Sequence, residues 1–351
     1  MSLSPIPLED ALEVLRSHAA EADEAADWPS ASWEALGRAG VTGWVIPRAH
    51  GGEQRDPVSL LEGYGRLAGA CLTTCFLLSQ RDAACRRLRD SGKEDLCREL
   101  LPPLARGETF ATVGLSQLTT SRQHGRPALS ARLAGDALVL DGVMPWVTGA
   151  ARADHFVTGA VLDDGRQVMV VVPRTAAGLR VGTPLDLAAL RGSLTAEVRC
   201  EGVVLERKWL LAGPAERVLA PGRGAGGLET SALALGLAET AVRYLAEEAT
   251  KREDWRQPAA ECESGWRALH ETLVRLAREG GTVEDATALR ARANAFVLRA
   301  TQYALAAAKG TGFVRTHPAQ RWARQALFFL VWSCPRPALE ATLAYLQPPA
   351  T

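Results

Sequence analysis

The sequence carries no surplus of either charge: lysine plus arginine and aspartate plus glutamate both total 40, so the formal net charge is zero. That balance removes the electrostatic signature of a nucleic-acid or anionic-membrane partner. Long apolar runs are missing too. No stretch approaches the roughly 18 uninterrupted apolar residues that a membrane span requires. The opening segment MSLSPIPLEDALEVLRSH lacks a basic start followed by an apolar run, so no signal peptide is visible, and a soluble, cytoplasmic protein is expected. Cysteines are few. The seven (71, 75, 85, 97, 200, 262 and 334) are odd in number and form no C-x-x-C pair, which argues for reduced thiols and against a metal site. Cys71 and Cys75 stand four apart in an apolar helical run, where thiols behave as small buried hydrophobes.

What is present is a change of period along the chain. With 351 residues, 47% of them apolar, there is material for two or three packed units. From Leu8 to about Arg106 the pattern is helical. Leu12, Val14 and Leu15 mark one amphipathic segment, and Trp33 with Leu36 a second that ends near Gly40. Residues 40–52 are punctuated by glycine and read as a loop. A longer helix is predicted from about Pro57 to Leu78, buried on most sides because residues 67–78 carry no charge. The segment KEDLCRELLPPLARGE reads as a short helix closed by a turn. Near Phe110 the period falls to two. ALVLDG, HFVTGAVL, QVMVVVP and TAEVRCEGVVL are strand-like runs, and in the last Ala196, Val198 and Cys200 alternate with charged residues, as on a sheet with one wet face. After Leu228 helices return, reaching about Arg252, then through Trp266 to Leu276, then from Ala286 to Ala308, then after Pro318. The expected fold is therefore α+β and predominantly α: an N-terminal helical domain (1–109), a small central β-barrel or sandwich (110–212) and a C-terminal four-helix bundle (213–351).

Two glycine-rich stretches invite different readings. Gly222, Gly224 and Gly227 satisfy G-x-G-x-x-G, but no strand precedes them and no β-α-β unit surrounds them, so a dinucleotide fingerprint is not supported. The stretch KGTGFVRTHPAQRWARQALFFLVWSCPRP has more content. Gly310 and Gly312 permit a tight turn or close approach to a ligand, and Pro318 supplies the dihedral favoured at a helix's first position. Trp322, Ala326, Phe329 and Ser333 then follow at helical spacing on one face, with Pro335 and Pro337 expected to stop the helix.

This segment resembles the C-terminal part of the acyl-CoA dehydrogenase superfamily, in which a glycine turn passes the flavin and the following helix leads to the catalytic glutamate. At the matching place this chain reads Trp332, Ser333 and Cys334, and a serine hydroxyl is no base for a carbon acid at neutral pH. The resemblance extends to the order of the N-terminal helices and to PWVTGAARAD. There Trp146, Val147 and Thr148 match the aromatic, aliphatic and threonine that the family sets beside the ring of FAD. Ser116 and Ser121 stand for the threonine and the pyrophosphate serine of the family's flavin loop, whose glutamate, proline and glycines are absent. In KREDWRQP, Arg252 and Trp255 correspond to an arginine and an aromatic that reach the FAD of a neighbouring subunit, which implies a homodimer or homotetramer. An arginine at a helix C-terminus also has a purely local use.

Some relatives carry the base on the first bundle helix instead. The equivalent position here is Gly226, and Glu229, one turn along, becomes the candidate. The resemblance thus implies a flavin-dependent oxidoreductase acting on an acyl-CoA or an acyl-carrier thioester, with an electron-transfer flavoprotein or oxygen as electron acceptor. Two alternatives share the scaffold: a flavin-dependent monooxygenase or N-hydroxylase, which Ser333 suits, and a non-catalytic binder of acyl thioesters.

Overall fold

The computed structural model describes residues 4–119, 126–219, 227–332 and 336–346. The first six helices are α1 (Leu8–Ser17), α2 (Ala19–Glu24), α3 (Ser30–Arg38), α4 (Pro57–Ala70), α5 (Leu72–Arg89) and α6 (Glu94–Ala105). α4 starts where the sequence asks it to: Asp56 accepts from the amides of Val58 and Ser59, and Pro57 follows at the first helical position. The single helix expected from Pro57 to Leu78 is instead two. Cys71 is extended (φ −153°, ψ 104°), closing α4 through its amide to Leu67 and opening α5 through its carbonyl to Cys75. Gly69 lies two residues before the break, but the apolar pattern runs through Cys71 itself, so periodicity alone does not reveal it.

Eight strands follow: β1 (Ala111–Gly114), β2 (Leu129–Ala134), β3 (Ala137–Val147), β4 (His155–Leu162), β5 (Gln167–Pro173), β6 (Leu179–Val181), β7 (Ala196–Glu206) and β8 (Leu210–Ala215). They form one sheet in the order β6-β7-β3-β2-β4-β5-β8, with β1 paired to β4. Two pairings, β1 with β4 and β2 with β4, are parallel and the rest antiparallel. On β7, Ala196, Val198 and Cys200 are buried while Arg199 and Glu201 are exposed, the alternation that the sequence showed. β8 carries the strand region to Ala215, slightly past the expected boundary.

The last region contains α7 (Gly227–Lys251), α8 (Arg256–Glu279), α9 (Val283–Ala307), α10 (Pro318–Leu327) and α11 (Arg336–Leu346). α9 opens with a capping box between Thr282 and Asp285. The helix after Pro318 is shorter than expected. It ends at Leu327 and tightens into a 3₁₀ turn over Phe328–Leu330, because buried side chains of α9 take the carbonyls that a longer helix would use: Asn294 Nδ2 donates to Phe329 O (3.0 Å) and Arg290 Nη2 to Trp332 O (2.7 Å). Trp322, Ala326 and Phe329 share a buried face as anticipated, while Ser333 lies outside the described residues. Pro337 does not stop a helix but sits in the first turn of α11, an element the sequence reading missed.

Six cysteines among the described residues are free and buried. Burial pushes the Cys85 thiol up to about 11 and Cys200 up to about 12. Thiolate at neutral pH is therefore scarce, and a thiol-reactive dye should label none of the six in the native protein and all of them in denaturant. Rapid native labelling of Cys85 or Cys200, located by peptide mapping, would contradict this packing. No helix among the described residues is long and apolar enough to cross a membrane. No cluster of three or more histidine, cysteine, aspartate or glutamate residues among them is placed to hold a metal ion.

Candidate functional site

The end of β3 builds one wall. Val147 points inward and is fully buried, paired with Ala196 on β7, whereas its neighbour Trp146 points outward and is 50% exposed. An indole left half-open at a sheet end is a ready platform for a flat ring. Thr148 turns back into the protein. Its carbonyl accepts from Thr112 Oγ1 (2.7 Å), and its hydroxyl accepts a long bond from Thr195 Oγ1 (3.4 Å), which lies 2.9 Å from Ser193 Oγ. The chain reverses at Gly149 (φ +69°), where Leu77 and Phe110 pack so closely that a Cβ would not fit. Ser116 begins a 3₁₀ turn (Ser116–Leu118) that leans on β3. Its hydroxyl is buried and has no hydrogen-bond partner. Ser121, its companion in the sequence reading, lies outside the described residues, as do Gly222, Gly224 and Gly226.

A second group assembles in the bundle. Arg252 Nη2 donates to Glu248 Oε2 (2.9 Å) and to the carbonyl of Ala307 (2.6 Å), closing the end of α9, and its guanidinium stands 5.5 Å from the Trp255 ring centre. These bonds tie Arg252 to α9 as well as to α7. Ala307 leads directly into the glycine turn, in which Gly310 has open space around it and Gly312 packs on Leu305 and Ala308. Phe313 beside them is 82% exposed. Trp146, Val147 and Thr148 thus stand together at the end of β3, with Ser116 on a turn packed against that strand, and Arg252, Trp255, Gly310 and Gly312 group in the bundle.

Glu229, in the first turn of α7, pairs with Arg86 of α5 (3.4 Å). Arg86 Nη1 reaches Tyr64 OH (3.5 Å), and that phenol donates to Asp82 Oδ2 (2.6 Å). Burial, and then the adjacent Arg86, lower Arg87 to about 10. Sequence reasoning missed this network, although charged residues at 81 and 82 inside an apolar helix were a visible signal. It also missed Phe76, whose ring meets Phe328 (4.8 Å) and Trp332 (4.9 Å) edge-on.

A helical layer, a β layer and a helical bundle in this order match the fold of acyl-CoA dehydrogenases. The chain belongs to the acyl-CoA dehydrogenase superfamily: residues 10–108 match the family model for the acyl-CoA dehydrogenase N-terminal domain. It is 27% identical over 270 residues to the probable acyl-CoA dehydrogenase YngJ of Bacillus subtilis, covering 75% of this chain and 70% of that protein. With the mitochondrial short-chain specific acyl-CoA dehydrogenase of Homo sapiens it shares 24% over 333 residues, 88% of this chain and 80% of the relative. The structure of butyryl-CoA dehydrogenase from Megasphaera elsdenii superimposes with a TM-score of 0.83 at 19% identity, covering 99% of this chain and 100% of that one, which speaks to the fold.

Proposed function

We propose that the protein is an FAD-dependent oxidoreductase that dehydrogenates an acyl thioester, as the names of its relatives say of them. The observation that carries this reading is the β3 corner: a half-open indole at Trp146, the Thr148 hydroxyl two residues on, and the buried, unpartnered hydroxyl of Ser116 on the turn that leans on β3. These fit the ring end of a flavin, an aromatic surface edged by polar atoms. FAD, when bound, supplies a two-electron acceptor that no amino-acid side chain offers.

The chain's own residues hold and orient. Trp146 would cover one face of the ring. Thr195 donates into Thr148, which leaves the Thr148 hydrogen free to be given outward. Ser116 would supply a further hydrogen bond. Arg252, Trp255 and the Gly310–Gly312 turn, grouped apart from the β3 corner, suit service to the FAD of a second copy in a homodimer or homotetramer. Glu229, held by Arg86, is the candidate to take the substrate's α proton. Electrons would leave to an electron-transfer flavoprotein or to oxygen.

Ser333 in place of the family's glutamate favours, as a second reading, oxygenation on the same scaffold, in which no carbon base is needed. The test is optical. Purified protein loaded with FAD should show flavin absorbance, and anaerobic butyryl-CoA should bleach it, with Glu229→Gln slowing bleaching at least tenfold. Flavin that binds but bleaches only with another reductant, with product formed only in oxygen, selects the oxygenase. No flavin uptake at all leaves a thioester binder. Unchanged bleaching in Glu229→Gln removes that residue from the chemistry.

A further inference from the structure

We infer that Ser193, acting through Thr195, fixes the direction in which the Thr148 hydroxyl donates and thereby raises the reduction potential of FAD bound at the β3 corner; the inference rests on the flavin reading above. The three hydroxyls form a chain. Ser193 Oγ lies 2.9 Å from Thr195 Oγ1, which lies 3.4 Å from Thr148 Oγ1. All three side chains are buried, Ser193 completely. Each hydroxyl carries a single hydrogen, so the chain can run in only two senses.

Burial selects one of them. If the hydrogens ran from Thr148 toward Ser193, the last would sit on a fully buried serine whose hydroxyl has Thr195 as its one partner among the described residues, and a buried donor left unmade is costly. In the opposite sense Ser193 gives to Thr195 and Thr195 to Thr148, and the surplus hydrogen emerges on Thr148, two residues from the half-open Trp146 indole. Among the described residues nothing accepts that hydrogen. Thr148 is therefore a donor toward whatever occupies the corner, not an acceptor.

The backbone is strained to hold Ser193 there. Leu190 (φ 61°, ψ 32°) and Leu194 (φ 46°, ψ 39°), on either side of the 3₁₀ turn Arg191–Ser193, are both left-handed, a conformation that leucine avoids. Two helices clamp the turn. Fully buried Asp23 of α2 accepts from the Leu190 amide (2.8 Å) and from Gln325 Nε2 of α10 (2.8 Å), while Arg324 of α10 pairs with its other oxygen (2.9 Å). Gly192 lies so near α2 that a Cβ would come within 2.5 Å of Ala22 O. The Ser193 carbonyl in turn accepts from the amide of Gly149, the residue after Thr148 (2.7 Å). An unfavourable turn fixed this firmly, and ending in a hydroxyl chain that reaches the cofactor-side threonine, is a positioning device.

A hydrogen given to the polar edge of the ring is held more strongly once two electrons have raised the density there, so a fixed donor favours reduced over oxidised flavin. The experiment is the midpoint potential of FAD bound to the full chain, from anaerobic dithionite titration beside a redox dye of known potential. Thr195→Val, which keeps the shape and removes the link, and Ser193→Ala, which removes the far end, should each hold reduced relative to oxidised flavin at least tenfold less well than the native protein, a fall of about 30 mV or more. Thr195→Ser, which keeps the hydroxyl, should return the native potential. Either of the first two variants serves where the other fails to fold or to hold FAD. An unchanged or raised potential in a folded, FAD-loaded variant, or a Thr195→Ser potential as low as that of Thr195→Val, overturns the role of Ser193 and Thr195 while leaving the flavin reading intact. No uptake of FAD by the native protein overturns that reading and this inference together.

Discussion

Asp82→Ala is expected to cost about 3–5 kcal/mol of stability, because it strands a charge in the core. Asp82 and Arg81 are both fully buried and paired at 2.6 Å, and Arg81 also donates to the carbonyl of Leu104. With the carboxylate gone, the guanidinium keeps its desolvation and loses its counter-ion, and the Tyr64 hydroxyl loses its acceptor. Replacing Arg81 by Met, Asp82 by Leu and Tyr64 by Phe together should recover much of the loss, since no unpaired polar group then remains. Urea unfolding followed by circular dichroism measures both, and a loss below about 1 kcal/mol in the single variant, the range of an exposed pair, would refute the argument.

The same cluster gives the stability profile an alkaline limb. Burial, and then the facing Asp82 carboxylate, raise the Tyr64 phenol well above its ordinary value. An unfolded tyrosine ionises near pH ~10 while the folded one stays protonated, so this group's contribution is whole below that pH and drains away as the pH climbs toward the folded value. Tyr64→Phe should flatten that limb.

Much of this architecture was legible wherever one period ran unbroken. HFVTGAVL and QVMVVVP coincide residue for residue with β4 and β5, and the stripe from Leu228 onward with α7. The misses share a physical cause: they were decided by partners far along the chain. α10 stops because Asn294 and Arg290 reach carbonyls 35 and 42 residues away. The local apolar pattern, which would continue the helix, cannot report that. Within the site, Trp146, Val147 and Thr148 were readable as a contiguous motif. Glu229 was readable only as a position, since its partner Arg86 belongs to another helix, and the Phe76 contact joins residues more than 250 positions apart in sequence.

The crossing of α4 and α7 yields the other large effect. A Cβ at Gly236 would run into the carbonyl oxygen of Gly65 and come within 2.8 Å of its carbonyl carbon and Cα, all backbone atoms that cannot rotate away. Four residues on, Thr240 Oγ1 donates to the carbonyl of Gly69 (3.0 Å), and a Cβ at Gly69 would meet Gly236 O at 2.9 Å. The two helices thus touch backbone to backbone, locking the N-terminal helices onto the bundle. Gly236→Ala must push them apart by an ångström or so, and the expected loss is about 3 kcal/mol, at the upper end of overpacking costs, with Gly236→Val failing to fold. Separation here would also stretch the Arg86–Glu229 pair, which joins α5 to α7. Gly37 is the control. It lies in α3 with nothing within 4 Å of a built Cβ, so Gly37→Ala should be neutral or stabilise by up to about 1 kcal/mol. If both glycine variants unfolded at the same urea concentration, the close crossing would not be what holds the helical layers together.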